Sequence, residues 1–126
     1  MAIAEDIKAA YFSARDYPEL AGKLMFAGVL SYTVEVPTGT TLYRLANGAI
    51  HLNSSTAEPR EIANQFDEGL TIQAIRDNQE KKTDYAGFMA DIAKAGVRFY
   101  EATLNGNNKR VTYIGTGGFY EEPIPI

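Results

Sequence analysis

The chain contains one sequence pattern twice, and this repetition limits the folds that it can adopt. Residues 16–32 read DYPELAGKLMFAGVLSY and residues 84–100 read DYAGFMADIAKAGVRFY. Six of these seventeen positions are identical without a gap, in the order Asp, Tyr, Ala, Gly, Val and Tyr. We therefore predict a fold assembled from two copies of one supersecondary unit, an internal duplication.

Each copy has the residues that begin and end a helix. Asp84 is a good N-cap, with Thr83 as the alternative, because either side-chain oxygen can accept from a free amide of the first turn. Gly96 follows where a left-handed residue ends a helix at little cost. Between them lies an apolar stripe at i, i+4 and i+7, formed by Phe88, Ile92 and Ala95. The earlier copy has the same pattern in Asp16, Leu20, Leu24, Ala27 and Gly28.

Runs of β-branched and aromatic residues follow each of these helices and predict strands. The runs cover residues 30–36, 41–46 and 49–53 in the first copy, and 98–104, 110–115 and 119–122 in the second. A further helix is predicted before each repeated one, within 3–14 and 67–79. Helices followed by strands indicate the α+β class, with helices packed on an antiparallel sheet about a pseudo-two-fold. Whether the strands form one sheet or two stays open.

The chain length favours one domain. At 126 residues it can bury a core without metals or disulfides. We predict a single compact domain over 1–126, made of two repeats, about 1–53 and 66–126. The polar segment 54–65, which contains Pro59, joins them.

Composition excludes several classes of protein. The chain has no cysteine, so disulfides and thiolate chemistry are excluded, and a reducing compartment fits. Its net charge is −4, divided equally between residues 1–65 and 66–126, which disfavours nucleic-acid binding. The N-terminal residues lack the basic segment of a signal peptide, and no apolar run reaches the roughly 20 residues that span a bilayer. We expect a cytoplasmic protein that does not bind membranes.

The second half resembles a known family. The residues that carry the resemblance are Gln79, Lys82-Thr83-Asp84-Tyr85, Phe88, Ala95-Gly96-Val97, Tyr100, Tyr113 and Glu122-Pro123-Ile124-Pro125. They are similar to the YdfO/YbcV-like group, the prophage-associated domain-of-unknown-function family 1398, some of whose members are labelled "phage envelope protein". The resemblance is looser over residues 1–53, and Lys81 stands where the family has a glycine. It implies an α+β fold and no established activity or cofactor.

Few residues in the chain are suited to catalysis. His51 is the single histidine, and Arg44 lies near it in the sequence. The glycine-rich run 115–119 lacks the Lys-Ser/Thr and the following helix of a phosphate loop, so it is predicted to be a turn. No catalytic residue, metal ligand or cofactor is predicted.

The tyrosines are the more informative candidates. Tyr17 and Tyr85, Tyr32 and Tyr100, and Tyr43 and Tyr113 recur as pairs in the two copies. Tyrosine suits both core edges and binding surfaces, because it combines a large ring with a polar hydroxyl. Pseudo-symmetric core packing and an aromatic-lined groove between the copies are both compatible with this pattern.

Two hypotheses for function follow. The first is a small non-enzymatic binding or interaction protein of bacterial or prophage origin, with a protein partner or self-association. The alternative is a small enzyme or small-molecule-binding protein with a cleft between the repeats. The ligand- or partner-contact candidates are His51, Arg44, Tyr43 and Tyr113.

Overall fold

The computed structural model of the chain describes residues 3–55 and 58–125. Each half has two helices followed by three strands, as predicted. The first half contains α1 (Ile3–Ser13), α2 (Tyr17–Phe26), β1 (Val29–Glu35), β2 (Thr41–Leu45) and β3 (Ile50–Asn53). The second contains α3 (Glu68–Gln79), α4 (Tyr85–Lys94), β4 (Val97–Thr103), β5 (Arg110–Gly115) and β6 (Gly118–Pro123). The α+β class is confirmed; the internal duplication and the single-domain organisation stay predictions.

The described strands form one antiparallel sheet, which settles the question that the sequence left open. Its order is β3-β2-β1-β4-β5-β6, so the two halves join where β1 pairs with β4. In that pairing Thr33 lies opposite Glu101 and Val34 lies opposite Tyr100. The last strand of each half forms an outer edge of the sheet. The central strands, one from each half, therefore lie beneath the junction of the two helix pairs.

Aspartates begin three of the helices. The side chain of Asp16 accepts a hydrogen bond from the Glu19 amide at 2.9 Å, and that of Asp84 accepts from the Gly87 amide at 2.8 Å. Asp67 caps α3 in the same way. The alternative N-cap Thr83 is therefore wrong, and Asp84 is the capping residue.

Glycines with positive φ end the two repeated helices, as predicted. Gly28 has φ 101° and Gly96 has φ 84°. Their surroundings differ, because a Cβ on Gly28 would meet no atom within 4 Å, whereas one on Gly96 would collide with the Gln65 carbonyl oxygen. Gly96 is thus required both for its backbone conformation and for the close approach of the segment before α3.

Lys81 occupies a glycine-like position at the end of α3. Among the described residues it is the one non-glycine with a positive φ, at 63°. Its amide donates to the Asn78 carbonyl at 3.0 Å, and the next amide donates to the Asp77 carbonyl at 2.8 Å. This is a left-handed helix ending, which explains why the resemblance places a glycine here.

The helices cover one face of the sheet and bury its tyrosines. Tyr32 and Tyr43 lie opposite each other on β1 and β2, and both are 2% exposed. Tyr100 and Tyr113 form the equivalent pair on β4 and β5. Leu24 of α2 and Ile92 of α4 are completely buried above this face. Since side chains alternate along a strand, the neighbouring residues project to the other face.

A candidate binding cavity between the helix pairs

A cavity of about 600 Å³ lies between the α1–α2 pair and the α3–α4 pair, above the central strands. Six of the eight tyrosines of the chain line it: Tyr11, Tyr17, Tyr32, Tyr85, Tyr100 and Tyr113. Both halves of the chain contribute to its wall, so the cavity lies where they meet. Two of the tyrosine pairs, Tyr17 with Tyr85 and Tyr32 with Tyr100, lie in this lining, and a binding role for it stays a prediction.

The floor of the cavity consists of strand tyrosines. Tyr32, Tyr100 and Tyr113 are 2%, 6% and 6% exposed, respectively. The rings of Tyr100 and Tyr113 are 5.3 Å apart between centroids, because the two residues face each other across β4 and β5. Phe88 of α4 meets both rings edge-on, at 6.3 and 6.4 Å. These contacts hold the floor in a defined geometry.

Helix residues form the walls and the mouth. Leu20 and Ile75 supply apolar surface on opposite sides. Tyr11 of α1 and Tyr85 of α4 remain 41% and 55% exposed, although both line the cavity. They therefore mark its opening to solvent. The residues Pro123, Ile124 and Pro125 complete the lining at the end of β6.

Hydroxyl contacts join the helices to the floor. The Tyr17 hydroxyl lies 2.6 Å from the Tyr32 hydroxyl, and the Tyr43 hydroxyl donates to that of Tyr11 at 3.1 Å. Tyr113 differs from these four residues. Within residues 3–55 and 58–125 no hydrogen bond to its hydroxyl is formed, although its side chain is almost wholly buried and lines the cavity.

Burial keeps the cavity phenols protonated. It raises the pKa of Tyr17 to about 12, although the hydrogen bond with Tyr32 opposes the rise. Burial also raises the pKa values of Tyr32, Tyr100 and Tyr113 above the ordinary value for tyrosine. At neutral pH these side chains are uncharged hydrogen-bonding groups, and their protonated phenols are poor bases and nucleophiles.

Charged residues occur at the rim of the cavity and already have partners. Arg15 Nε lies 3.0 Å from Glu19 Oε1, and Lys81 Nζ donates to the Arg15 carbonyl at 3.3 Å. Arg76 Nη1 donates to Glu122 Oε2 at 2.6 Å. Burial alone would raise the pKa of Glu122, but hydrogen bonds from Arg76, Tyr120 and Gln79 lower it below its usual value. Glu122 is therefore an ionised, engaged carboxylate.

The four residues predicted from the sequence do not form one site. Tyr113 lies in the cavity, and Tyr43 lies beside it through its contact with Tyr11. His51 faces Tyr43 across β2 and β3, with 5.8 Å between ring centroids, outside the cavity lining. Arg44 projects from the other face of the sheet, where it donates to Thr33 Oγ1 at 3.0 Å. The structure therefore does not bring Arg44 together with His51.

The chain is similar to a known protein family over most of its length. A family profile described as "Protein of unknown function (DUF1398)" matches residues 6–118. This chain belongs to the DUF1398 family. The match confirms the prediction of family 1398 and includes all six cavity tyrosines, while the YdfO/YbcV-like and prophage labels stay predictions. A search of curated proteins found none that matches the chain.

Metal binding and membrane insertion each require features that can be recognised in a structure. The described residues of the DUF1398 chain contain no group of three or more histidine, aspartate or glutamate side chains placed to hold a metal ion. Within the same ranges no helix is both long and apolar enough to cross a bilayer. What the cavity offers is apolar and aromatic surface with neutral phenol hydroxyls. Such a lining is suited to holding an organic molecule.

Several residues of the cavity were not among the predicted contacts. Tyr11 corresponds to Gln79, 68 residues later in the second half, so the pairing of tyrosines does not mark it. Glu122 reaches the rim through its ion pair with Arg76, across 46 residues of sequence. Spacing along the chain does not encode such a contact.

Proposed function

We propose that this protein is a non-enzymatic binding protein that holds a small organic molecule in the tyrosine-lined cavity. The supporting observation is the cavity itself, whose volume of about 600 Å³ lies within the range of roughly 300–1,000 Å³ typical of small-molecule sites. Its lining combines apolar walls with a few hydroxyls, which is the usual composition of such sites.

The arrangement of polar groups favours binding over catalysis. A small enzyme would need a nucleophile or base positioned by a partner. His51 lies outside the cavity lining, and Arg44 is on the other face of the sheet. Glu122, the carboxylate at the rim, is held by Arg76 at 2.6 Å. None of these groups is placed to act on a molecule bound over the tyrosine floor.

A blocking variant tests the proposal. Ala14 is half-buried and lines the cavity just after α1, so Ala14→Trp should fill the opening. Ala90 is exposed on α4 and outside the lining, and Ala90→Trp is the matched control. A panel of small aromatic and aliphatic compounds would be screened by thermal shift and calorimetry. We expect at least one compound to bind the wild type and Ala90→Trp, and to lose binding in Ala14→Trp.

Two results would overturn the proposal. One is that no compound in a broad panel binds the wild-type chain. The other is that compounds bind Ala14→Trp as tightly as Ala90→Trp, because the site would then lie elsewhere. The chain has no native tryptophan, so each variant also carries a single indole whose fluorescence reports whether it is buried.

We also propose that the chain self-associates through the uncovered face of the sheet. Ile50 and Leu52 on β3 and Phe119 on β6 are 64%, 57% and 62% exposed. These residues give the face an apolar end at each edge strand, β3 and β6. Ion pairs lie between the two apolar ends, such as that of Arg110 with Glu121 at 3.2 Å. Two copies related by a two-fold axis can place apolar ends against each other. Sedimentation of wild type and Leu52→Lys tests this proposal, and a wild-type monomer at high concentration excludes it.

The source and location are proposals as well. We propose a bacterial or prophage protein of the YdfO/YbcV-like group that acts in the cytoplasm. The resemblance of residues 66–126 supports the source, and the absence of cysteine supports a reducing compartment. Fractionation of a native host, followed by detection of the chain in the soluble or membrane fraction, tests the location.

A further inference from the structure

We infer that the ligand of this cavity is an uncharged aromatic molecule that carries a hydrogen-bond acceptor such as a carbonyl oxygen. This inference rests on the proposed function and specifies its ligand class. Three independent properties of the lining lead to it: the absence of charge within the described interior, the arrangement of the rings, and the unpartnered hydroxyl of Tyr113.

The interior excludes charge. The floor and inner walls contain phenols and apolar side chains, among them Leu20, Ile75 and Val111. An ionised group placed there would lose its hydration without gaining an opposite charge, which is strongly unfavourable. The charges at the rim do not reach the interior, since Arg15 is paired with Glu19, Glu122 is paired with Arg76, and the exposed Lys81 Nζ donates to the Arg15 carbonyl. The lining therefore selects neutral molecules.

The rings favour a flat aromatic ligand. Tyr100 and Tyr113 form a tilted pair, 5.3 Å apart with 40° between their planes, and Phe88 meets both edge-on. This arrangement presents ring edges and faces to the cavity. Aromatic ligands pack on such surfaces in offset or edge-to-face geometry more favourably than flexible aliphatic chains. Tyr11 and Tyr85 add two further rings at the mouth.

The Tyr113 hydroxyl supplies the polar contact. Tyr17 and Tyr32 satisfy each other, as do Tyr11 and Tyr43. The Tyr113 hydroxyl has no partner among the described residues, yet its side chain is 6% exposed and lines the cavity. Thr83 Oγ1 is the one sealed side-chain polar atom without a partner among the described residues, so the Tyr113 oxygen is still accessible, from the cavity that its side chain lines. A ligand acceptor can therefore take the place of water at this hydroxyl. Because burial keeps this phenol protonated, it can donate.

A matched series of naphthalenes tests the inference. 2-Acetylnaphthalene is neutral and carries a carbonyl acceptor, 2-naphthoate has the same ring with a negative charge, and 2-ethylnaphthalene lacks the acceptor. Affinities for the full chain would be measured by ligand-observed NMR and calorimetry at pH 7. We expect 2-acetylnaphthalene to bind at least tenfold more tightly than 2-naphthoate and several-fold more tightly than 2-ethylnaphthalene.

Two variants separate the hydroxyl contact from general packing. Tyr113→Phe keeps the ring and should remove the preference for the acetyl over the ethyl compound. Tyr120→Phe removes a hydroxyl outside the cavity lining and should leave that preference intact. Near-native thermal unfolding of both variants would show that any change in affinity does not come from unfolding.

The outcomes distinguish this inference from the proposed function. If 2-naphthoate binds as tightly as 2-acetylnaphthalene and Ala14→Trp blocks both, the cavity binds small molecules but the charge argument is overturned. If the acetyl and ethyl compounds bind equally, or Tyr113→Phe keeps their difference, the hydroxyl argument is overturned. If neither this series nor the broader panel binds, the proposed function itself fails.

Discussion

The Tyr17 hydroxyl lies 2.6 Å from the Tyr32 hydroxyl and joins the start of α2 to the central strand β1. The two residues are separated by 15 positions in the chain, and the equivalent positions in the second half are Tyr85 and Tyr100. The contact fixes one wall of the cavity to its floor. The contribution of this hydrogen bond can therefore be measured both from the free energy of unfolding and from ligand affinity.

Removing this contact should destabilise the fold moderately. Tyr17→Phe deletes one hydroxyl and leaves the buried Tyr32 hydroxyl without that partner, so we expect a loss of about 1–2 kcal/mol in the free energy of unfolding. Urea denaturation at pH 7 measures it. Tyr32→Phe should cost a similar amount, because it leaves the Tyr17 hydroxyl, whose pKa is raised by burial, without that partner. Negligible losses in both variants would contradict a structural role for the contact.

The buried phenols should make stability fall at alkaline pH. An unfolded tyrosine ionises near pH 10, whereas burial raises the pKa of Tyr17 to about 12 and also raises that of Tyr32. Between these values the folded chain keeps protons that the unfolded chain has lost, so the free energy of unfolding decreases as pH rises above about 10. Denaturation at intervals from pH 8 to 11.5 measures the slope. The slope is set by the difference in bound protons between the folded and unfolded chains. Tyr17→Phe should reduce this difference by up to about one proton.

The helices and their ends could be predicted from the sequence because the contacts that determine them are local. Asp84 and Gly96 begin and end α4 through contacts within a few residues, and both were identified from spacing. The position of Arg44 depends instead on the register of β2 with β3, which pairs it with Ile50 and Tyr43 with His51. A shift of one residue reverses which face each side chain occupies. His51 and Arg44 therefore lie on opposite faces of the sheet, and their roles as contact residues stay predictions.

The cavity was harder to predict because it depends on contacts that are distant in sequence. The recurrence of Tyr32 and Tyr100 indicated a shared role, but not that β1 and β4 would pair at the centre of one sheet. That pairing places the floor residues of both halves together. The depth of the site then depends on how far the two helix pairs stand apart, and no periodicity in the chain encodes that separation.

The two helix-ending glycines should respond differently to alanine. Gly28→Ala incurs only the cost of a positive φ, about 1–2 kcal/mol, because its Cβ would meet no neighbour. Gly96→Ala adds a collision with the Gln65 backbone, which cannot move without displacing the segment before α3. We expect the second loss to exceed the first by at least about 1 kcal/mol. Urea denaturation of both variants measures it, and equal losses would show that the segment at Gln65 yields easily.

Lys81→Gly tests the reverse substitution. Glycine should stabilise the fold at this position, because Lys81 has a positive φ. Its φ of 63° is costly for a side-chain-bearing residue, so Lys81→Gly should raise the free energy of unfolding by about 0.5–1 kcal/mol. The exposed bond from Lys81 to the Arg15 carbonyl contributes little, and Lys81→Ala, which keeps the strain, should lie within about 0.5 kcal/mol of wild type.

Lys82→Gly is the matched control for that substitution. Lys82 is the neighbouring lysine and does not have a positive φ, so glycine there adds freedom to the unfolded chain and should destabilise by about 0.5–1 kcal/mol. It also removes the exposed ion pair of Lys82 with Glu80, which contributes little. Chemical denaturation of the three variants beside wild type gives the comparison. A gain at Lys81 with a loss at Lys82 assigns the effect to the left-handed helix ending. Losses at both positions would mean that the turn between α3 and α4 tolerates the lysine without strain.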